Sequence, residues 1–254
     1  MQNRKFVTVK TLLISGGSSG IGAACCEKFL QNNYRVYNLD INDNPSLQKY
    51  PAYRYLKTNI CNNGEISLAL EDIRNREAII NTVIVSAGKH LSGSIETTDE
   101  DALLDIVNLN LLGAWRLIKQ ILPFMKKKGG NIITIGSDQS TVGKPNSAAY
   151  GMTKAALAQL TKSIAIDYAK YNIRANCLGV GTIDTPLYRK AIENYSQKSG
   201  ISLDQIEKEE ASCQPLGRIG LPQEVAELAF ALSLDNLAYV TGALIPIDGG
   251  YIAR

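Results

Sequence analysis

Tyr150 and Lys154 stand four positions apart in the stretch AAYGMTKAAL, residues 148–157. On an α-helix that spacing puts both side chains on one face, one turn apart. A free tyrosine has a pKa of about 10, so only about one phenol in a thousand is ionised at neutral pH. An ammonium group one turn along favours the phenolate, by about 1.4 kcal/mol for each unit of depression. Such a pair can take a proton from an alcohol or return one to a carbonyl. A surface lysine laid over a tyrosine ring would read the same way. The neighbouring residues are mostly small, which would let other molecules approach that helix face closely.

A second group points to a phosphate-bearing ligand. SGGSSGIG, residues 15–22, follows an apolar run and opens a helical pattern. Gly16, Gly20 and Gly22 give the spacing G-x-x-x-G-x-G, with Ser18, Ser19 and Ile21 between them. Glycine lets the main chain turn tightly and lets a dinucleotide pyrophosphate come close to it. The helix N-terminus then offers unpaired N–H groups. Asp40 closes the next apolar run, about 20 residues on, where a carboxylate can accept hydrogen bonds from the adenosine ribose hydroxyls. The same charge would repel a 2′-phosphate, and no Lys or Arg stands between Gly16 and Gly22 or in INDN, residues 41–44. NAD(H) is therefore expected in preference to NADP(H).

These residues must be positioned by a fold. The 254 residues suffice for one large α/β domain. Net charge is +3, and the one lysine tract, Lys126–Lys128, falls at a helix end, so nothing suggests a nucleic-acid partner. Five cysteines contain no C-x-x-C, and His90 is the single histidine, so no metal site is expected from the usual spacings. The thiols read as small buried residues in a reducing, cytoplasmic setting, and no segment reaches membrane-spanning length. The N-terminal residues read as leading into a strand.

Strands are expected at 11–15, 35–40, 80–86, 131–137, 173–179 and 243–248, with a weaker candidate at 53–59. Helical patterns lie at 21–32, 63–75, 99–125, 147–171 and 222–234. Apolar strands alternating with helices predict an α/β fold: a Rossmann-like, doubly wound parallel sheet of about seven strands in a single domain, 1–254. Residues 186–214 break the rhythm with a polar excursion, expected to serve as a substrate-binding lid.

In this order, the motifs resemble those of the short-chain dehydrogenase/reductase family across essentially the whole chain. VSAG, residues 85–88, stands where the family often has N-N-A-G, and Val180 stands where it has proline before Gly181. The resemblance implies a catalytic set of Ser137, Tyr150, Lys154 and Asn110. Ser137 would hold the substrate oxygen, Lys154 would also bind the nicotinamide ribose, and Asn110 would hold a relay water. It further implies cofactor contacts from Asn59, Ile60, Ser86, Ala87, Gly88, Gly181, Ile183 and Thr185. His90, Asp138 and Gln139 are candidate substrate contacts, and Trp115 reads as a packing residue. Helices 99–125 and 147–171 lie where relatives form subunit contacts, so a homotetramer or homodimer is expected.

The function this implies is NAD(H)-dependent interconversion of a secondary alcohol and a ketone on a small polar substrate: a hydroxy acid, sugar or polyol. A 3-oxoacyl-thioester reductase is the enzymatic alternative. A dinucleotide-sensing protein without turnover is the non-enzymatic one.

Overall fold

The computed structural model describes residues 9–77 and 79–253. Seven strands are present: β1 (Thr11–Ser15), β2 (Arg35–Asp40), β3 (Tyr53–Lys57), β4 (Thr82–Val85), β5 (Gly130–Ile135), β6 (Ile173–Val180) and β7 (Leu244–Ile247). They form one sheet in the order β3-β2-β1-β4-β5-β6-β7, and every pairing is parallel. The inner strands are buried on both faces, which is why they read as continuous apolar runs. β3 is an edge strand with exposed positions, and its mixed sequence YRYLK gives the faintest signal.

Helices α1 (Gly20–Gln31) and α8 (Pro222–Ser233) cover one face of the sheet. Cys25, Cys26 and Phe29 of α1 and Val225, Ala226 and Ala229 of α8 pack over Leu12, Ile14, Ile84 and Ile133. The opposite face carries α2 (Asn63–Arg76), α4 (Ala114–Met125) and α5 (Ala148–Tyr168). There Ile66, Ile73, Leu117, Ile121 and Leu157 meet Leu13, Leu39, Val83 and Ile132. Each fully buried Leu, Ile or Phe contributes about 1.5–3 kcal/mol by leaving water. This double cover fixes the register of the strands, whose C-terminal ends all open on one edge of the sheet.

Two expected elements differ in detail. The helix expected at 99–125 is interrupted: α3 (Glu100–Val107) passes into α4 through a π-helical turn, Asn108–Gly113. The extra residue turns Asn110 inward, where its amide bonds both backbone groups of Lys89. The polar stretch 186–214 is a helical hairpin, α6 (Pro186–Ser199) and α7 (Leu203–Ser212). Thr185 caps α6 ahead of Pro186, Gly200 at φ 75° ends it, and Ser202 caps α7. Arg189 ties the hairpin together by pairing with Asp184 and Glu207.

Three thiols, Cys25, Cys26 and Cys177, are buried as expected; Cys61 is partly exposed and Cys213 exposed. Trp115 differs from the expectation of a packing residue, being 52% exposed.

Candidate active site

The turn after β1 is shaped by its glycines. Gly16 sits at φ 72°, and a Cβ there would fall 2.6 Å from the Ala87 backbone. A Cβ at Gly22 would lie 1.9 Å from the Gly16 carbonyl oxygen. Gly20, at φ 50°, faces the Thr185 side chain. Helix α1 starts at Ser19 with no side-chain cap and no acidic residue in its first turn. Its leading N–H groups are thus left without a competing side-chain acceptor, as an anion requires. Asp40 ends β2 beside this turn, and its carboxylate accepts the Ser18 N–H at 3.1 Å and the Asn42 N–H at 3.2 Å. The cradle fits a dinucleotide phosphate, with the Asp40 carboxylate beside it.

Other residues singled out for the cofactor line the same edge or lie just beneath it. Ser86 follows β4, and its N–H donates to Ser15 O at 3.1 Å. A Cβ at Gly88 would stand 3.1 Å from Asn110 Oδ1 and 3.7 Å from Lys154 Nζ, so the backbone there runs close to both. Asn59 is exposed, and its Oδ1 accepts the Cys61 N–H at 2.9 Å. Ile60 and Ile183 are core residues, so they would act through their main chains. Gly181 lies against Asp248, where a Cβ would be 2.7 Å from the Asp248 Cα.

The end of β5 and the start of α5 bring Ser137, Tyr150 and Lys154 together. Ser137 is 4% exposed and lies close enough to the Tyr150 phenol to influence its ionisation. Lys154 is buried, donates to Ile135 O at 2.8 Å, and stands 5.6 Å from the centre of the Tyr150 ring. Burial decides both titrations in the protein alone. It pushes the Tyr150 phenol up to about 12, aided by the charge of Asp138 and opposed by the nearby Ser137 hydroxyl. It brings the Lys154 ammonium down to about 8. The expected depression of Tyr150 by Lys154 is therefore not seen in the chain's own environment, where desolvation prevails.

Asn110 is 2% exposed, and its Nδ2 also donates to Thr153 Oγ1 at 3.2 Å, fixing the π-turn to α5. The His90 ring packs edge-on against Tyr150 with centroids 4.8 Å apart, and burial with the nearby Lys144 charge lowers its pKa. Asp138 is buried, and its carboxylate accepts the Ser137 hydroxyl at 2.8 Å and pairs with Lys144 at 2.7 Å. Gln139 points a buried Oε1 toward Gly151. The sequence reading passed over Lys144, Thr153 and Ser140, whose hydroxyl donates to Lys154 O at 2.9 Å. Nothing in their spacing marks them, because their partners are brought in by the fold.

Comparison with known proteins agrees with this architecture. A family model described as enoyl-(acyl carrier protein) reductase matches residues 16–252. A short-chain dehydrogenase family protein from Francisella tularensis superposes with a TM-score of 0.90, at 39% identity over 97% of this chain and 100% of that one. An aldohexose dehydrogenase from Thermoplasma acidophilum also gives 0.90, at 31% identity over 97% of this chain and 95% of that one. The L-fucose dehydrogenase of Rattus norvegicus is 30% identical over 95% of this chain and 88% of its own. Proteins of this kind bind a nicotinamide dinucleotide. With the seven-stranded sheet, the glycine turn and the Tyr150–Lys154 pair in place, the chain belongs to the short-chain dehydrogenase/reductase family and is an oxidoreductase of CH–OH groups.

Proposed function

We propose that the protein is an NAD(H)-dependent dehydrogenase that oxidises a secondary hydroxyl of a sugar-like substrate and reduces the matching carbonyl. The observation that carries this reading is the meeting of Ser137, Tyr150 and Lys154 at the C-terminal end of β5. Tyr150 exchanges the proton of the reacting oxygen, and Ser137 holds that oxygen by a hydrogen bond. Lys154 lies beneath Tyr150 and supplies a cation and a donor at the ribose side. Asn110 sets the π-turn that seats a proton relay between Lys154 and solvent. When bound, the nicotinamide supplies the hydride acceptor and, oxidised, a positive charge that favours the phenolate.

Cofactor preference rests on Asp40, which lies beside the phosphate turn with no Lys or Arg in that turn. Gly16, Ser18, Ser19, Gly20, Ile21 and Gly22 would hold the pyrophosphate. The Asn59–Ile60, Ser86–Gly88 and Gly181–Thr185 segments would border the adenine and nicotinamide ends. The sugar class is supported by the names of two relatives, an L-fucose and an aldohexose dehydrogenase, and by the polar groups of His90, Asp138 and Gln139 near Tyr150. Subunit contacts through α4 and α5, in a homotetramer or homodimer, are supported by exposed Trp115, Met152 and Ile166. No helix among the described residues is long and apolar enough to cross a membrane.

The test is absorbance at 340 nm with NAD⁺ or NADP⁺ and a panel of L-fucose, D-glucose, other aldohexoses, xylitol and 3-hydroxybutyrate. A 3-oxoacyl thioester with NADPH serves as the contrast. Oxidation of a sugar with NAD⁺ is expected. Faster reduction of the thioester with NADPH would overturn both the substrate and the cofactor assignments.

A further inference from the structure

Asn38, fully buried on β2, has no part in the catalytic reading above. Its Oδ1 accepts the Gly17 N–H at 2.9 Å, and its Nδ2 donates to Ser18 Oγ and to the Tyr53 hydroxyl, each at 2.9 Å. A main-chain N–H can only donate, so the amide is fixed with its oxygen toward Gly17 and its nitrogen toward Ser18. Gly17 leaves the room for this, since a Cβ there would fall 2.5 Å from Asn38 Oδ1. Tyr53 passes the chain on, donating to Asp43 Oδ1 at 3.2 Å in the loop after β2.

The consequence falls on Ser18. Its hydroxyl accepts from Asn38, so its single proton goes to its other partner, the Asn42 carbonyl oxygen. Its N–H goes to Asp40 Oδ2 at 3.1 Å. Ser18 thus lines the phosphate turn by contact, with both of its donors committed to the end of β2 and the loop behind it. Because Ser18 and Asp40 are bonded neighbours, a ribose held by Asp40 would present its 2′ substituent beside Ser18. A phosphate brings strong acceptor oxygens and would meet a lone pair there. A free hydroxyl brings a proton that the lone pair can accept. We propose that Asn38 is a positioning residue for cofactor choice: by fixing the Ser18 hydroxyl toward Asn42, it denies a 2′-phosphate a donor and favours the dinucleotide without one. The inference rests on the NAD(H) reading above and adds to Asp40 a second cause of the preference.

The test is fluorescence titration of the full-length protein with NADH and with NADPH, for wild type, Asn38→Leu, Ser18→Ala and the two combined. Leucine keeps the shape of asparagine and removes its three bonds. Asn38→Leu is expected to move the ratio of NADPH to NADH affinity about tenfold toward NADPH, the effect of one hydrogen bond to a charged group. In the Ser18→Ala background the same change is expected to add nothing, because no hydroxyl is left to turn. Tyr53→Phe removes one partner of Asn38 and leaves Ser18 bonded, so it should leave the ratio unmoved.

An unmoved ratio in Asn38→Leu would overturn the inference. So would an equal shift in both backgrounds, or a like shift in Tyr53→Phe, since Asn38 would then act only by supporting the loop. Should Asn38→Leu fail to fold, Ser18→Ala decides. A hydroxyl already turned away gives a 2′-phosphate nothing to lose, so the ratio in Ser18→Ala should match wild type. A fall in NADPH affinity alone would overturn the inference. Failure of the NAD(H) reading looks different: the wild-type protein would itself bind NADPH as tightly as NADH, and the inference would fall with it.

Discussion

At the β1–α1 turn the site is made by main chain, whereas between β5 and α5 it is made by side chains that carry buried charge. The first region owes its shape to Gly16 and Gly22, packed so closely that a single added carbon would collide with backbone, and to Gly20, at positive φ against the Thr185 side chain. Its one charged group, Asp40, stands at the rim. The second region buries Lys154 and Asp138 almost completely, with Lys154 anchored on the Ile135 carbonyl at the end of β5 and Asp138 paired with Lys144 in the turn that follows. A backbone cradle is rigid and indifferent to pH. A cluster of buried ions is costly to hold and sensitive to pH, and reactivity comes from that cost.

The sharpest way to separate the two regions is to remove the acid–base group alone. Tyr150→Phe should lower kcat by about 10²–10⁴-fold, the range for a positioned proton donor, while NADH fluorescence titration gives an unchanged Kd. Loss of NADH binding in that variant would mean the regions are not separable.

Next in size is the converse change. Gly22→Ala forces a methyl group onto the Gly16 carbonyl and should cost about 1–3 kcal/mol of stability as overpacking. Its NADH Kd should rise about tenfold or more, corresponding to at least about 1.4 kcal/mol. A melting temperature and Kd both like wild type would show that the turn yields more easily than its geometry implies.

How far the sequence foretold each region follows from the same contrast. The glycine turn and Asp40 were readable because backbone constraints act over a few residues and restrict residue type. The inner strands were readable because burial on both faces leaves mostly apolar letters. The π-turn at Asn110 was not, since the bonds it allows are to Lys89 on another segment. The hairpin α6–α7 was read as a polar lid segment without its helices, although its caps Thr185 and Ser202 were visible in principle. The reversal at Tyr150 was hidden for a physical reason: spacing reports a neighbouring charge and says nothing of lost water.

The cost of that lost water can itself be measured. The Lys154 ammonium, at about 8 in the fold against 10.5 as its ordinary value, destabilises the native state by about 3 kcal/mol at neutral pH. Lys154→Met should therefore melt several degrees higher than wild type at pH 7 while losing turnover. The penalty is complete below about pH 8 and is relieved as pH rises toward 10.5, where the unfolded chain still holds a proton that the fold has released. The difference in melting temperature should close over that window. A gap that stays constant with pH would point to packing instead of charge.

The smallest effect belongs to the rim. Asp40→Ala should move the ratio of NADPH to NADH affinity about tenfold toward NADPH, roughly 1.4 kcal/mol, with little change in melting temperature. An unmoved ratio would remove Asp40 from cofactor choice.

The strand order has a consequence for how the chain is made. Gly20, at the mouth of the phosphate turn, has Thr185 as its wall, and that residue follows β6. On the ribosome the turn is therefore complete only when most of the polypeptide has emerged, at roughly 5–20 residues per second. β1 waits for β4 until residue 85 has emerged and for the covering of α8 until residue 233, so its apolar faces stay open for much of synthesis. On the proposed reading, a dinucleotide held at that turn would add its stabilisation only after Thr185 has emerged.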